Sequence, residues 1–150
     1  MLRSIKHPNI LKTYGFFENF ETIAIILEYC EGGDLARYIN HRRNSVKINE
    51  QELEVRHIIK GILLGLNYIH NVCDSLHRDI KLRRPRYDTE NIMIHCSLAN
   101  SIRVEDVKIG DFGLSFMFTT PFSRHTKTRC GTKIYMSPEQ LCGKSYGKVD

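Results

Sequence analysis

No stretch of the chain approaches the roughly 20 consecutive apolar residues that a membrane-crossing helix needs. The longest apolar run, Ile23 to Leu27, has the length of a strand. The first residues, Met-Leu-Arg-Ser-Ile-Lys-His-Pro, lack the apolar centre of a secretory signal. The five cysteines are odd in number and include no Cys-x-x-Cys pair. That spacing argues against structural zinc and against a disulfide framework, so reduced thiols in a cytoplasmic or nuclear protein are expected. There is no internal repeat, no low-complexity tract and no boundary that would split the chain.

A large excess of one charge is also lacking. Twenty-two basic and 17 acidic residues leave a net charge of +5. The visible basic clusters are Lys81, Arg83, Arg84 and Arg86, and His41-Arg42-Arg43. Such clusters can hold a phosphate backbone, but most are solvated surface, and nucleic acid is not the expected partner. At 150 residues, with 41% hydrophobic and 26% charged content, the chain is that of one ordinary globular domain.

The periodicity is mixed. Leu11 to Phe17 and Thr22 to Glu28 are rich in β-branched and aromatic residues, with Glu18 to Glu21 between them, which predicts a hairpin. Asp34 is an N-cap candidate for a short helix to about Asn40. Asn49, with Glu52 three residues on, predicts the capped start of a long helix. Val55, Ile58, Ile59, Ile62, Leu63, Leu66 and Ile69 give that helix a wide apolar stripe, expected to face a core. His57 and His70 on it have no ligand-spaced partner and are expected to be structural. Asn91 to Ile94 and Val107 to Ile109 predict a short strand pair, and Phe116 to Lys133 a Ser/Thr-rich loop.

Two short words carry the chemistry. His77-Arg78-Asp79 is followed 32 residues later by Asp111-Phe112-Gly113, and then by Ser137-Pro138-Glu139. In this order they match anchor points of the eukaryotic protein-kinase signature. From His7-Pro8-Asn9-Ile10 to Asp150 the chain resembles the Ser/Thr protein kinases. Leu27 to Leu35, Asp111 to Ser115 and Gly131 to Gln140 are similar in wording to the NIMA-related (Nek) subfamily. The resemblance implies an α+β, protein-kinase-like fragment: two small-lobe strands, the hinge and the first half of the mainly helical large lobe. Residues 1–150 would form one partial kinase domain.

That resemblance implies ATP and Mg²⁺ as cofactors and a protein with Ser or Thr as substrate. Leu27 would be the gatekeeper, Glu28 to Cys30 the hinge, and Met93 part of the adenine floor. Asp79 would orient the substrate hydroxyl, and Lys81 would stabilise the transferred phosphoryl group. Asn91 and Asp111 would hold Mg²⁺, for which oxygen ligands are suited. Arg78 would meet a phosphate on the activation loop, with Thr128 the expected phosphosite among neighbours that include Thr119, Thr120, Ser123 and Thr126. Thr132 would pack against the catalytic loop. His77 is expected to be a buried structural imidazole, and Cys30 and Cys130 to be bystanders.

The chain departs from the family pattern in three places. No Gly-x-Gly-x-x-Gly word, strand Lys or helix Glu precedes His7. Asn91 lies twelve residues after Asp79 where the family has five, with Leu82 in the usual Pro position. The chain also stops at Asp150, where the family's central helix begins. These departures predict exposed apolar surface and little or no transfer activity in the 150-residue chain alone. An inactive, pseudokinase-like binding fragment is the alternative. A basic nucleic-acid binder using Arg83, Arg84 and Arg86 and a non-functional gene fragment are the other rivals.

Overall fold

The computed structural model describes residues 5–43, 47–81, 91–119 and 125–148. The hairpin forms close to the expected place: β1 (Thr13–Glu18) pairs antiparallel with β2 (Ile23–Leu27). Asn19 closes its turn, the side-chain oxygen accepting from the backbone N–H groups of Glu21 at 3.0 Å and Thr22 at 2.7 Å. Both faces of the ribbon are largely open, and Phe16, Phe17, Ile23, Ile25 and Ile26 are all exposed.

Gly33–Asp34 forms β3, a two-residue strand that the sequence did not reveal. Asp34 then caps α1 (Leu35–Arg42), its carboxylate accepting from the Arg37 N–H at 2.7 Å. The second helix, α2 (Ile48–Asn71), begins earlier than expected. Lys47 stands at its N-cap and makes no side-chain bond. Asn49 lies inside the first turn, so the box with Glu52 does not form. Glu52 pairs instead with Arg56, one turn on, at 2.7 Å.

The apolar stripe on α2 is split. Ile58 and Ile69 are buried and Ile62 and Leu66 partly so, while Val55, Ile59 and Leu63 are about half exposed or more. The buried seam runs through Gly61 and Gly65. A Cβ at Gly61 would lie 2.7 Å from Val107 Cβ, and one at Gly65 would lie 2.9 Å from the Asn9 carbonyl oxygen. Their missing side chains let α2 approach the sheet.

After α2 come β4 (Ser75–Leu76), β5 (Ile92–Ile94) and β6 (Val107–Ile109). The expected strand pair is the β5–β6 ladder, and β3 joins it to give the order β3-β5-β6. Leu35, Tyr38, Ile58, Ile92, Ile94, Ile102 and Val107 pack between this sheet, α1 and α2. Buried Asn9 fastens the N-terminal segment to the sheet. Its amide donates to the Val104 and Val107 carbonyls at 2.5 and 3.0 Å.

The segment read as a Ser/Thr-rich loop holds two further strands. β7 (Phe116–Met117) pairs with β4, and β8 (His125–Thr126) pairs with β9 (Tyr146–Gly147). Between them, α3 (Pro138–Leu141) starts with a capping box in which Ser137 and Gln140 bond reciprocally. Among the described residues no helix is long and apolar enough to cross a membrane. All five cysteines are free thiols.

Candidate active site

The connection from β4 carries His77, Arg78 and Asp79. His77 is buried, and its Nε2 lies 2.8 Å from the Gly110 carbonyl oxygen. The Asp79 backbone N–H donates to the other ring nitrogen at 3.4 Å. Those partners assign a neutral imidazole protonated at Nε2. Burial holds the His77 pKa below its ordinary value, although the Gly110 bond and the charges of Asp111 and Asp79 oppose it. His77 is therefore the structural imidazole expected from the sequence, and both carboxylates lie near enough to act on it.

Asp79 is buried at the centre of a cluster assembled from distant segments. The Thr132 backbone N–H and hydroxyl both donate to its Oδ1, at 2.9 and 2.8 Å. Lys81 Nζ lies 3.2 Å from its Oδ2. Burial alone raises the Asp79 pKa, but the bonds from Thr132, Lys81 and Asn91 outweigh it and hold the carboxyl below its ordinary value. Asp79 is ionised and restrained from two sides.

Asn91 meets Asp79 despite the long connection. Its amide nitrogen donates to the Asp79 carbonyl at 2.5 Å and to Oδ2 at 3.2 Å. The family's shorter spacing is thus not needed to bring the two residues together. Residues 82–90, including Leu82, Arg83, Arg84 and Arg86, lie outside the described residues. Lys81 does not belong to an exposed basic patch, being only 4% exposed and paired with Asp79.

Asp111 follows the end of β6. The Gly110 N–H donates to the Asn91 carbonyl at 2.8 Å, and Ile92 pairs with Ile109, so Asn91 and Asp111 flank the same end of one ladder. Asp111 is exposed, with a left-handed backbone (φ 54°), and its Oδ1 accepts from the Gly113 N–H at 3.2 Å. Asn91 Oδ1 is buried and has no hydrogen-bond partner. The orphaned Asn91 oxygen and the exposed Asp111 carboxylate are donor types that suit a hard cation. Among the described residues no group of three His, Cys, Asp or Glu side chains could hold a metal. Two oxygen donors of this kind suit Mg²⁺, a hard cation that keeps much of its shell in other oxygens.

The remaining expected residues fall into two groups. Leu27 ends β2 and is 45% exposed, Met93 is half-buried in β5, and Cys30 is buried. Burial, reinforced by Glu28, pushes the Cys30 thiol up to about 11, which keeps it protonated and inert. Arg78, also left-handed (φ 70°), donates from Nε to the Leu114 carbonyl at 2.7 Å and stacks over Phe116. Its Nη1 is buried without a partner. Thr128 is exposed, and the Tyr146 hydroxyl donates to its carbonyl at 2.5 Å. No hydrogen bond joins Arg78 to Thr128. His57 Nδ1 lies 2.8 Å from the Ile102 carbonyl oxygen, which gives it the structural bond expected of it, and His70 is half-buried.

Sequence reasoning missed Gly131. Its φ of 101° and its packing on the Arg78 carbonyl place Thr132 under Asp79. A Gly immediately before the Thr was the available signal.

The family model described as "Protein kinase domain" matches residues 1–150. The chain belongs to the protein kinase domain family. Serine/threonine-protein kinase PLK4 of Danio rerio is 32% identical over 143 residues, covering 95% of this chain and 13% of that protein. PLK4 of Drosophila melanogaster is 35% identical over 143 residues, covering 95% and 16%. NUAK family SNF1-like kinase 1 of Homo sapiens is 34% identical over 146 residues, covering 97% and 19%. The chain thus spans less than a fifth of the length of these relatives. Its mixed α+β architecture, with a small-lobe ribbon and the helices that follow it, is that of a protein kinase domain.

Proposed function

We propose that the chain carries the catalytic centre of an enzyme that transfers the γ-phosphoryl group of Mg²⁺-ATP to Ser or Thr of a protein. The observation that carries this reading is the Asp79 cluster. One oxygen of the carboxylate is held by Thr132 and the other faces Lys81 and Asn91, while the buried Asn91 Oδ1 has no hydrogen-bond partner. Phosphoryl transfer needs mainly such positioning and charge compensation. Asp79 would orient the hydroxyl and accept its proton, and Lys81 would offset charge on the transferred group. Asn91 and Asp111 would hold Mg²⁺ on the phosphates. Leu27, Glu28, Cys30 and Met93 would border the adenine.

A phosphate on Thr128 would supply the anion that Arg78 Nη1 lacks, ordering the segment by charge-assisted bonds. The relatives' names support the Ser/Thr specificity. The finer NIMA-related assignment rests on the wording of residues 27–35, 111–115 and 131–140. A cytoplasmic or nuclear site suits the five free thiols.

The test is titration of the full chain with ATP, with and without Mg²⁺, followed by phosphate transfer to a generic protein substrate. Binding that needs Mg²⁺ and weakens in Asn91→Ala and Asp111→Asn is expected. Any transfer should vanish in Asp79→Asn. Capture of a protein partner with no Mg²⁺-ATP binding would overturn this reading in favour of a pseudokinase-like binding fragment.

A further inference from the structure

The Glu28 carboxylate, at the start of the hinge segment, is held from three separate elements. Lys108 Nζ in β6 lies 3.4 Å from Oε1, and His95 Nδ1 just beyond β5 lies 3.2 Å from the same oxygen. The Lys12 N–H, ahead of β1, donates to Oε2 at 3.1 Å. The Glu28 backbone is tied as well, its N–H donating to the Lys12 carbonyl at 2.8 Å. Lys108 also donates to the Pro8 carbonyl at 2.8 Å. The side chains of Lys108 and Glu28 are only 12% and 14% exposed, so water screens the pair little. His95 is about half exposed and is the weaker arm.

The anchor lies where it matters mechanically. The β1–β2 ribbon projects from the body with most of its side chains exposed, so few contacts orient it. The neighbouring Tyr29 is 80% exposed and gives the hinge no packing of its own. Lys108 stands on the β5–β6 ladder, opposite Met93 in register. From there one ammonium reaches both the segment before β1 and the segment after β2.

We infer that Lys108 is a positioning residue: through Glu28 and the Pro8 carbonyl it fixes the backbone of residues 28–30 and thereby the edge of the site that receives adenine. The adenine role rests on the proposed function, whereas the backbone restraint does not.

Two readouts on the full chain separate these layers. The first is amide hydrogen exchange at residues 28–30. Lys108→Met should speed exchange there by about tenfold or more, the loss expected for a charge-assisted bond, with residues 58–69 of α2 unchanged. Lys108→Arg should restore protection. In a double-mutant cycle, Lys108→Met on top of Glu28→Gln should add less than it does alone, because the ion pair is already gone and only the Pro8 bond is left to lose. Unchanged exchange at 28–30 in Lys108→Met, or full additivity with Glu28→Gln, would overturn the inference. So would equal acceleration throughout α2, which would mark a purely global stability effect. The second readout is ATP affinity, which should fall in parallel with hinge protection. Should the wild-type chain bind no ATP while Lys108→Met still frees the hinge, the proposed function fails and the restraint stands.

Discussion

A methyl group at Gly131 would lie 2.4 Å from the Arg78 carbonyl oxygen. Both residues have left-handed backbones, with φ of 101° and 70°, and they meet next to the two bonds from Thr132 to Asp79. Gly131→Ala therefore meets both a clash with backbone and a strained dihedral. The expected cost is about 2 kcal/mol or more in urea unfolding, in line with other special-backbone sites. The same variant should free Thr132 from Asp79. The conservative Thr132→Val, which keeps the backbone N–H but loses the hydroxyl, should leave stability closer to wild type while raising the Asp79 pKa toward its ordinary value. An NMR titration of that carboxyl reads the change, and an unaltered pKa would show that the hydroxyl bond is unimportant.

Glycine at a helix interior is normally a weakness, and replacement by Ala should add up to about 1 kcal/mol of helix propensity. At Gly61 the opposite is expected. The new Cβ would meet Val107 Cβ at 2.7 Å, the Val104 carbonyl oxygen at 2.8 Å and the Asn9 amide at 3.1 Å. Two of these are rigid neighbours, and Asn9 is the clasp that holds the N-terminal segment to β6. Overpacking of this kind costs about 1–3 kcal/mol. Gly61→Ala should lower the thermal midpoint. A rise would mean that α2 can move away from the sheet without penalty.

The contrast between these two glycines shows what the sequence could reveal. Local signals were legible: the Asn19 turn, the Asp34 cap and the short strand pair β5 and β6 each follow from a few neighbours. The chemistry words were legible too, because His77-Arg78-Asp79 and Asp111-Phe112-Gly113 are contiguous. Hidden were the effects of distance. The apolar stripe of α2 could not show that Gly61 and Gly65 form its buried seam while Ile59 and Leu63 stay open. The spacing of Asp79 and Asn91 suggested a disturbed loop, yet Asn91 at the start of β5 bonds Asp79 just past β4. Short strands such as β3, β8 and β9 have two residues each, too few for any period to register. Their existence depends on partners far away in the chain.

Glu54 is buried on α2, where Arg42 of α1 holds it at 2.5 Å and the Tyr38 hydroxyl donates at 3.2 Å. The two charged side chains are 13% and 8% exposed, so the carboxylate depends on its partner. Arg42→Ala leaves that charge behind and should cost about 3 kcal/mol. The double variant Arg42→Met with Glu54→Leu removes both charges and keeps the bulk, and it should be more stable than Arg42→Ala alone. Chemical denaturation of the three proteins decides this. If the double variant is the least stable, the pair itself and not the stranded charge is what α1 and α2 need.

Acid should weaken the fold before any carboxylate titrates. His77, His70 and His7 all have pKa values below 6.5 in the folded chain, in each case chiefly through burial. Lys108 adds to the effect at His7 and Lys148 at His70. A depressed imidazole pKa means that the unfolded chain takes up the proton first. Stability is then full above about pH 6.5 and falls as the pH drops from there toward the folded values, by at most about 1.4 kcal/mol per pH unit for each histidine. His77 is the most buried of the three and should contribute most. In His77→Gln, an amide can still donate to the Gly110 carbonyl but does not titrate. Urea unfolding between pH 7.5 and 5.5 should therefore show a shallower decline in that variant than in the wild type. An identical decline would assign the acid sensitivity to other groups.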